Sequence, residues 1–403
     1  MKKLLASALL GAGAVALLNA PSTEAAPTFY FGDGKKLTIF QMVQVWNIYT
    51  LKNDPSNPDM DSRDDIYIRR GRIGVKGKLR KDISFKVWFA YDNLGKDKQT
   101  AATGGTSQDT YDNREFYIWD AIWTWHLDPE WANISIGYFR PQVGKESITT
   151  AFKVISFQKA TTNFQPRRHI VYRGPGRETG INIGGLAINK KFNYNIGLFD
   201  TSEYTGNSGD KNWSPLIAMR FAWSFGDPEH KKYKMGYTQT YYGKRNGITL
   251  GLNYTYQGKT DYFKSNSLVG FDILANFGPI DFNAEYDILS RKDFNTNGDD
   301  YNNKVYSIKF GYNIKTSKGI IRPAVMYAKH DADSIFKTNP TANRVHSSLK
   351  TEEELYEVSL NWLINKDKLK LNIAYDWGKK DDLTKTTDKT NWSYIGVGFQ
   401  FIY

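Results

Sequence analysis

The sequence predicts an all-β fold: a transmembrane antiparallel β-barrel of about sixteen strands, with a long third loop folded into its lumen. Three observations predict it. Stretches of about ten residues alternate apolar and polar side chains until the last residue, as barrel strands do. In the final stretch Ile395, Val397, Phe399, Phe401 and Tyr403 share one face, and Tyr394, Gly396, Gly398 and Gln400 share the other. Side chains alternate across a strand, so this strand has one greasy face and one small or polar face. The chain also opens on a secretory signal pattern, and it contains no cysteine.

Lys2 and Lys3 form a positive start. Leu4 to Leu18 is an apolar run of fifteen residues, too short for a helical span and of signal-peptide length. Cleavage after Ala25 places Thr23 and Ala25 at the small-residue positions, which makes 1–25 a signal peptide and 26–403 the barrel. An uncleaved anchor or a buried helix is the alternative. Removing 25 of the 403 residues leaves 378, and losing Lys2, Lys3 and Glu24 moves the net charge from +12 to +11. No later run reaches eighteen apolar residues, so no helical span follows. The absence of cysteine excludes a disulfide framework. With 26 Tyr, 23 Phe and 11 Trp the chain is too aromatic for disorder. Its negative mean hydropathy argues against a helical membrane protein but not a barrel, where only alternate residues face lipid.

The strands are expected at 37–49, 66–79, 83–92, 116–127, 131–139, 178–186, 191–200, 215–225, 247–257, 267–277, 280–290, 304–314, 319–330, 354–364, 368–378 and 392–403. Their number is even, and their connections alternate short and long, as short periplasmic turns and long outer loops require. One join breaks the rule: 226–246 should be short and is not. Aromatics gather at strand ends as interfacial girdles: Trp223 and Phe225, Trp377, and Trp119, Trp123 and Trp125 with Tyr117 and Leu127 on one outward face. A soluble β-sandwich or solenoid is the alternative reading of the alternation.

Parity assigns the lumen face. Ile73, Val75 and Leu79 point out, so Arg70, Arg72, Lys76 and Lys78 point in. Likewise Lys86 opposes Ile83, Phe85, Val87 and Phe89, and Arg220 opposes Ile217, Met219, Phe221 and Trp223. Lys309, Arg322 and Lys370 follow the same way. The opposite parity would set Arg or Lys against lipid, at about 2–4 kcal/mol each at the midplane. Asp272, Asp281, Glu285 and Asp287 form the inner face of two later strands. One wall is thus expected to be basic and an opposing one acidic, a transverse field that selects among small hydrophilic solutes.

The third long loop, 140–177, carries Arg140, Lys145, Lys153, Lys159, Arg167, Arg168, Arg173 and Arg177 against a single acid, Glu146. It also carries Ile148, Phe152, Val154, Ile155 and Phe157, which a solvated loop would not need. Folding into the barrel would pack these and offer the cations to the lumen. Gripping anionic lipopolysaccharide from outside is the alternative.

These residues resemble the phosphate-selective porin O and P family of outer-membrane porins. Arg69-Arg70-Gly71-Arg72-Ile73-Gly74-Val75-Lys76-Gly77-Lys78 is similar to its second-strand signature. Gly137, Phe139, Arg140, Gly144 and Glu146 resemble the start of its constriction loop, and Phe164, Pro166 and Arg168 the end. Thr240-Tyr241-Tyr242-Gly243-Lys244, in the long join, resembles another family segment. Lys159-Ala160 departs from the pattern, where an acid–arginine pair is usual. The resemblance implies a homotrimeric porin in the outer membrane of a Gram-negative bacterium. It also implies a third loop that narrows the channel and cations that draw in small anions such as phosphate.

No G-x-S-x-G, H-E-x-x-H or C-x-x-C-H pattern occurs, and His126, His169, His230, His330 and His346 are scattered. No enzyme, cofactor, metal or nucleic-acid role is expected. Asp293-x-Asn295-x-Asn297-Gly298 looks like half a calcium loop, but Lys304 stands where a bidentate Glu is needed. Asp59, Asp61, Asp64 and Asp65 would bridge lipopolysaccharide through divalent cations or form a solvated run. The competing functions are a general porin with little ion selectivity and a structural or adhesive surface barrel.

Overall fold

The computed structural model describes residues 26–52, 62–97, 100–102, 116–294, 300–340, 345–385 and 389–403. The signal segment 1–25, Asp59 and Asp61, and most of the half calcium loop lie outside them. The strands are β1 Thr28–Phe31, β2 Lys35–Lys52, β3 Arg63–Arg80, β4 Ile83–Leu94, β5 Tyr117–Asp128, β6 Ala132–Phe139, β7 Glu178–Ala187, β8 Phe192–Asp200 and β9 Leu216–Gly226. After the long join come β10 Gly247–Gln257, β11 Ser265–Phe277, β12 Ile280–Lys292, β13 Tyr301–Tyr312, β14 Ile314–Thr316, β15 Gly319–Asp331, β16 Thr351–Asp367, β17 Leu369–Asp382 and β18 Lys389–Ile402.

Each strand pairs antiparallel with its neighbour, and β18 pairs with β2 from Ser393↔Lys52 to Ile402↔Met42, which closes the sheet. Closure removes the unpaired edges that an open sheet would present to lipid. Sixteen strands make the barrel, with β14 continuing β13 as one of them and β1 forming a hairpin on β2. All sixteen expected strands are present. The short β1 hairpin carries no alternation to announce it.

The outward face is apolar, with Leu250, Leu252, Phe271, Ile273 and Ile373 exposed on it. Tyr286, Tyr306, Tyr327, Tyr356 and Trp377 form a row of ring contacts 4.9–6.1 Å apart across β12, β13, β15, β16 and β17. This is a girdle of amphipathic rings at an interface. Detergent-extracted protein is therefore expected to run faster on gels unheated than boiled. Equal mobility, or a helical circular-dichroism spectrum, would contradict the fold.

Two β-bulges change the lumen face. Gln44 faces Arg70 and Val45 faces Ile68, which leaves Arg69 as an extra residue in β3. Trp88 faces Asp120 and Phe89 faces Ile118, which leaves Trp119 extra in β5. An extra residue turns two consecutive side chains to one face and flips the parity beyond it. Arg69 and Arg70 therefore both point inward. The outward assignment of Trp119 and Tyr117 is corrected: they turn inward while Phe116 and Ile118 are exposed outside. Trp123, Trp125 and Leu127, below the bulge, are outward as expected.

Candidate functional site: a basic cavity beside the third loop

Residues 140–177 hold two helices, α1 Lys145–Ile148 and α2 Thr161–Val171, with a 3-10 turn at Ala151–Lys153 between them. Backbone groups of this segment are fastened to inward side chains of many strands. Glu357 of β16 accepts from the N–H groups of Phe157 (2.6 Å) and Gln158 (3.1 Å). Gln400 of β18 donates to the Phe152 carbonyl at 3.0 Å, and Glu285 of β12 accepts from the Glu146 N–H at 2.5 Å. Phe157 stacks on Trp46 of β2, with ring centroids 4.2 Å apart. A Cβ at Gly396 or Gly398 would lie 2.7 or 2.9 Å from the Phe157 ring. The small inner face of the last strand is the seat of that ring. Ile148, Phe152, Val154, Ile155 and Phe157 are all buried, as their apolarity requires.

The charges do not sort into a basic and an acidic wall. Arg220 of β9 pairs with Asp272 of β11 at 2.6 Å, across β10, with both side chains fully buried. A Cβ at Gly251 of β10 would lie 2.3 Å from Asp272 Oδ2 and 2.6 Å from Arg220 Nη2, so glycine makes room for the pair. Arg322 pairs with Asp281 at 3.1 Å, and Lys309 with Glu146 at 2.7 Å. Asp287 is buried beside Gly270. Lys145 pairs with Glu229 of the long join. Lys159 donates to the Thr149 carbonyl (2.7 Å), to Asn163 Oδ1 (2.9 Å) and to the Glu146 carbonyl. At the position that departs from the family pattern, the amine thus ties α1 to α2. Lys370 is buried, Lys78 and Arg173 are exposed, and Arg168 lies 5.7 Å from the Phe164 ring. A buried charge costs several kcal/mol unless paired. The Arg220 and Arg322 pairs thus brace the wall, Lys309 fastens the loop to β13 and Lys145 fastens it to the long join, so these charges are not free to meet a solute.

The remaining cations, together with the tied Lys159, surround a cavity of about 380 Å³ between β2–β5, the loop and the long join. Eleven Lys and Arg residues line it against two carboxylates, Asp92 and Asp120. Asp92 takes Arg72, with Nη2 to Oδ2 at 2.8 Å. Asp120 takes Lys86 at 3.0 Å and Arg177 at 3.1 Å. Trp119, turned in by its bulge, lies between the guanidiniums of Arg72 (3.8 Å from the ring centroid) and Arg177 (3.6 Å). The Pro175 carbonyl accepts from Arg140 (3.4 Å), Arg167 (3.2 Å) and Arg177. Burial first, and the Arg177 charge next, lower the pKa of Arg140 and Arg167, which reflects cations crowded without enough acid. Arg70 donates to Gln44 at 2.7 Å. Among the described residues, Arg70, Lys76, Arg140, Lys153, Arg167 and Lys234 have no carboxylate at ion-pair distance.

The expected site thus divides. Arg70, Arg72, Lys76, Lys86, Arg140, Lys153, Lys159, Arg167 and Arg177 converge on the cavity, and Arg220, Lys309, Arg322, Lys145, Lys78, Arg168 and Arg173 do not. Sequence reasoning missed Arg69, Asp92, Trp119, Asp120 and Lys234. One signal was available for Arg69: with strict alternation, the Arg69-Arg70 pair would set one arginine against lipid, which a bulge avoids.

The sequence profile of the phosphate-selective porin O and P family matches residues 49–403. The chain belongs to that family. As a member it is an outer-membrane porin of a Gram-negative bacterium, a channel for small hydrophilic solutes. Solved structures share the fold at low identity. An anion-selective porin from Comamonas acidovorans matches with TM-score 0.58 and 12% identity, over 92% of this chain and 100% of that one. The outer-membrane channel DcaP of Acinetobacter baumannii matches with TM-score 0.59 and 10% identity, over 93% and 99%. OprB of Pseudomonas putida matches with TM-score 0.59 and 11% identity, over 92% and 94%. No curated protein matches the chain.

Proposed function

We propose that this porin prefers anions, with phosphate among those it passes, and that the loop 140–177 narrows its channel. The observation that carries this reading is the cavity lining of eleven cations and two carboxylates. A narrow lumen with low-dielectric walls focuses such a field, concentrating anions and excluding cations. The anion selectivity named for the Comamonas acidovorans porin points the same way. The proposal includes export by cleavage after Ala25, assembly as a homotrimer and outer loops facing lipopolysaccharide. The trimer form named for OmpT of Vibrio cholerae supports the assembly.

The test is the reversal potential of single channels in a KCl gradient. A potential of the sign set by chloride is expected. Asp92 and Asp120 offset Arg72, Lys86 and Arg177, which favours a second reading as a general porin. A potential near zero would decide for that one, and the sign set by potassium would overturn the anion preference.

A further inference from the structure

The join 227–246 runs for twenty residues at the end of the barrel where the neighbouring connections are short turns. It turns into the lumen and meets the third loop there. The Tyr237 N–H donates to the Ile148 carbonyl at 3.3 Å, and the Thr150 N–H donates to the Tyr237 carbonyl at 3.3 Å. The Gln239 N–H donates to the Lys153 carbonyl at 3.0 Å. Thr149 and Tyr237 form a parallel bridge. The wall holds the join as well: the Tyr237 hydroxyl donates to Asn193 at 2.7 Å, and Gln239 donates to Asn283 at 2.9 Å. Segments entering from opposite ends of the barrel thus share a backbone ladder across the interior.

One side chain of this join is placed to act on a solute. Lys234 is exposed and lines the cavity together with Lys153 of the third loop and Lys76 of β3. Enclosure within the cavity, although the side chain still meets solvent, and then the Lys153 charge lower its pKa. Glu229, the nearest acid of the join, is already paired with Lys145. Lys231 and Lys232 of the same join are exposed but do not line the cavity.

We propose that the join completes the constriction from the end opposite the third loop, and that Lys234 is a selectivity-determining residue on the solute path. The proposal rests on the anion-preferring reading. Three amines on three separate segments face the cavity with no carboxylate at ion-pair distance among the described residues, so a small anion passing between them meets uncompensated positive charge.

The chain has no cysteine, so Lys234→Cys creates its sole thiol. Full-length porin carrying it is reconstituted in planar bilayers and treated with an anionic or a cationic methanethiosulfonate reagent of similar size. The cationic adduct is expected to restore the wild-type anion-to-cation permeability ratio, and the anionic adduct to lower it by about twofold or more. Lys231→Cys with the same reagents should leave the ratio unchanged. Equal ratios for the two adducts at 234, or equal responses at 231 and 234, overturn the proposal. A wild-type channel selective for chloride with an indifferent position 234 sinks this inference alone. A wild-type channel selective for potassium sinks the functional reading instead.

Discussion

Glu146→Ala is expected to lower the heating temperature at which the folded gel band disappears and to make the single-channel current noisy. Glu146 is the only acid of the third loop, and its carboxylate joins three segments. It accepts from Lys309 of β13 at 2.7 Å, from the Ala160 N–H at 3.0 Å, and from Gln239 of the long join. Lys309 and Glu146 are fully buried, so truncating the acid strands an ammonium with no acceptor. Breaking a buried pair from one side costs about 3–5 kcal/mol. The loop then has lost its tie to both the wall and the join, so it fluctuates and the conductance with it.

Glu146→Gln keeps an acceptor and should lose less. The double variant Glu146→Ala, Lys309→Ala should recover part of the loss, because no charge is left unpaired. Burial alone would raise the Glu146 carboxyl, but Lys309 and Lys159 more than offset it and hold its pKa below the ordinary value. A depressed carboxyl contributes stability above its unfolded pKa, and the contribution is lost as pH falls through the folded value. The wild-type loop should therefore stay pinned at neutral pH and loosen only below the usual carboxylate range. A Glu146→Ala channel as quiet and as heat-resistant as wild type would show that the loop does not depend on this residue.

Strand positions were legible in the sequence because lipid enforces them. The outward residues in the middle of β9, β11 and β18, such as Phe221, Phe271 and Val397, must be apolar, and the period-two pattern follows. The fate of each inward charge was not legible. Arg220 and Lys86 have the same parity signal, yet one is locked to Asp272 while the other borders the cavity. The difference lies in where the third loop comes to rest, and that depends on contacts between residues far apart in sequence, such as Phe157 with Trp46 and Gly396. Both bulges defeat parity locally, but the Arg69-Arg70 pair gives a sign of its own, whereas Trp119 gives none because β5 carries large apolar side chains on both faces. The long join was visible as a broken rule of alternation. Its role was not, because neither Tyr237 nor Lys234 says in sequence that the segment turns inward. Arg245 of that join is buried, donating to Asn276 at 2.8 Å and Thr249 at 2.6 Å. Changing it would disturb the barrel wall and tell little about selectivity.

The double variant Lys76→Glu, Lys153→Glu is expected to turn the channel from chloride toward potassium preference. Arg70 and Arg72 carry the strongest sequence signal, but Arg72 is paired with Asp92, and a glutamate there would bury two carboxylates together. Such a variant would fail by misfolding and leave selectivity unread. Lys76 and Lys153 are both exposed in the cavity, on β3 and on the 3-10 turn of the third loop, with no acid at ion-pair distance among the described residues. Neither change strands a buried partner, so folding should be kept. Each reversal alters the local charge by two units. In a water-like dielectric one unit at about 7 Å is worth roughly 0.6 kcal/mol, and more where the walls exclude water. Four units then shift the anion-to-cation permeability ratio by tenfold or more on an order-of-magnitude estimate, since about 1.4 kcal/mol is a factor of ten. Raising the salt should shrink the shift, because mobile ions screen charges exposed to the lumen. Arg220→Gln, which breaks the buried pair with Asp272, should instead reduce resistance to heat and leave the reversal potential in place. The opposite pattern, with selectivity moved by Arg220 and unmoved by Lys76 and Lys153, would place the solute path on the other side of the third loop.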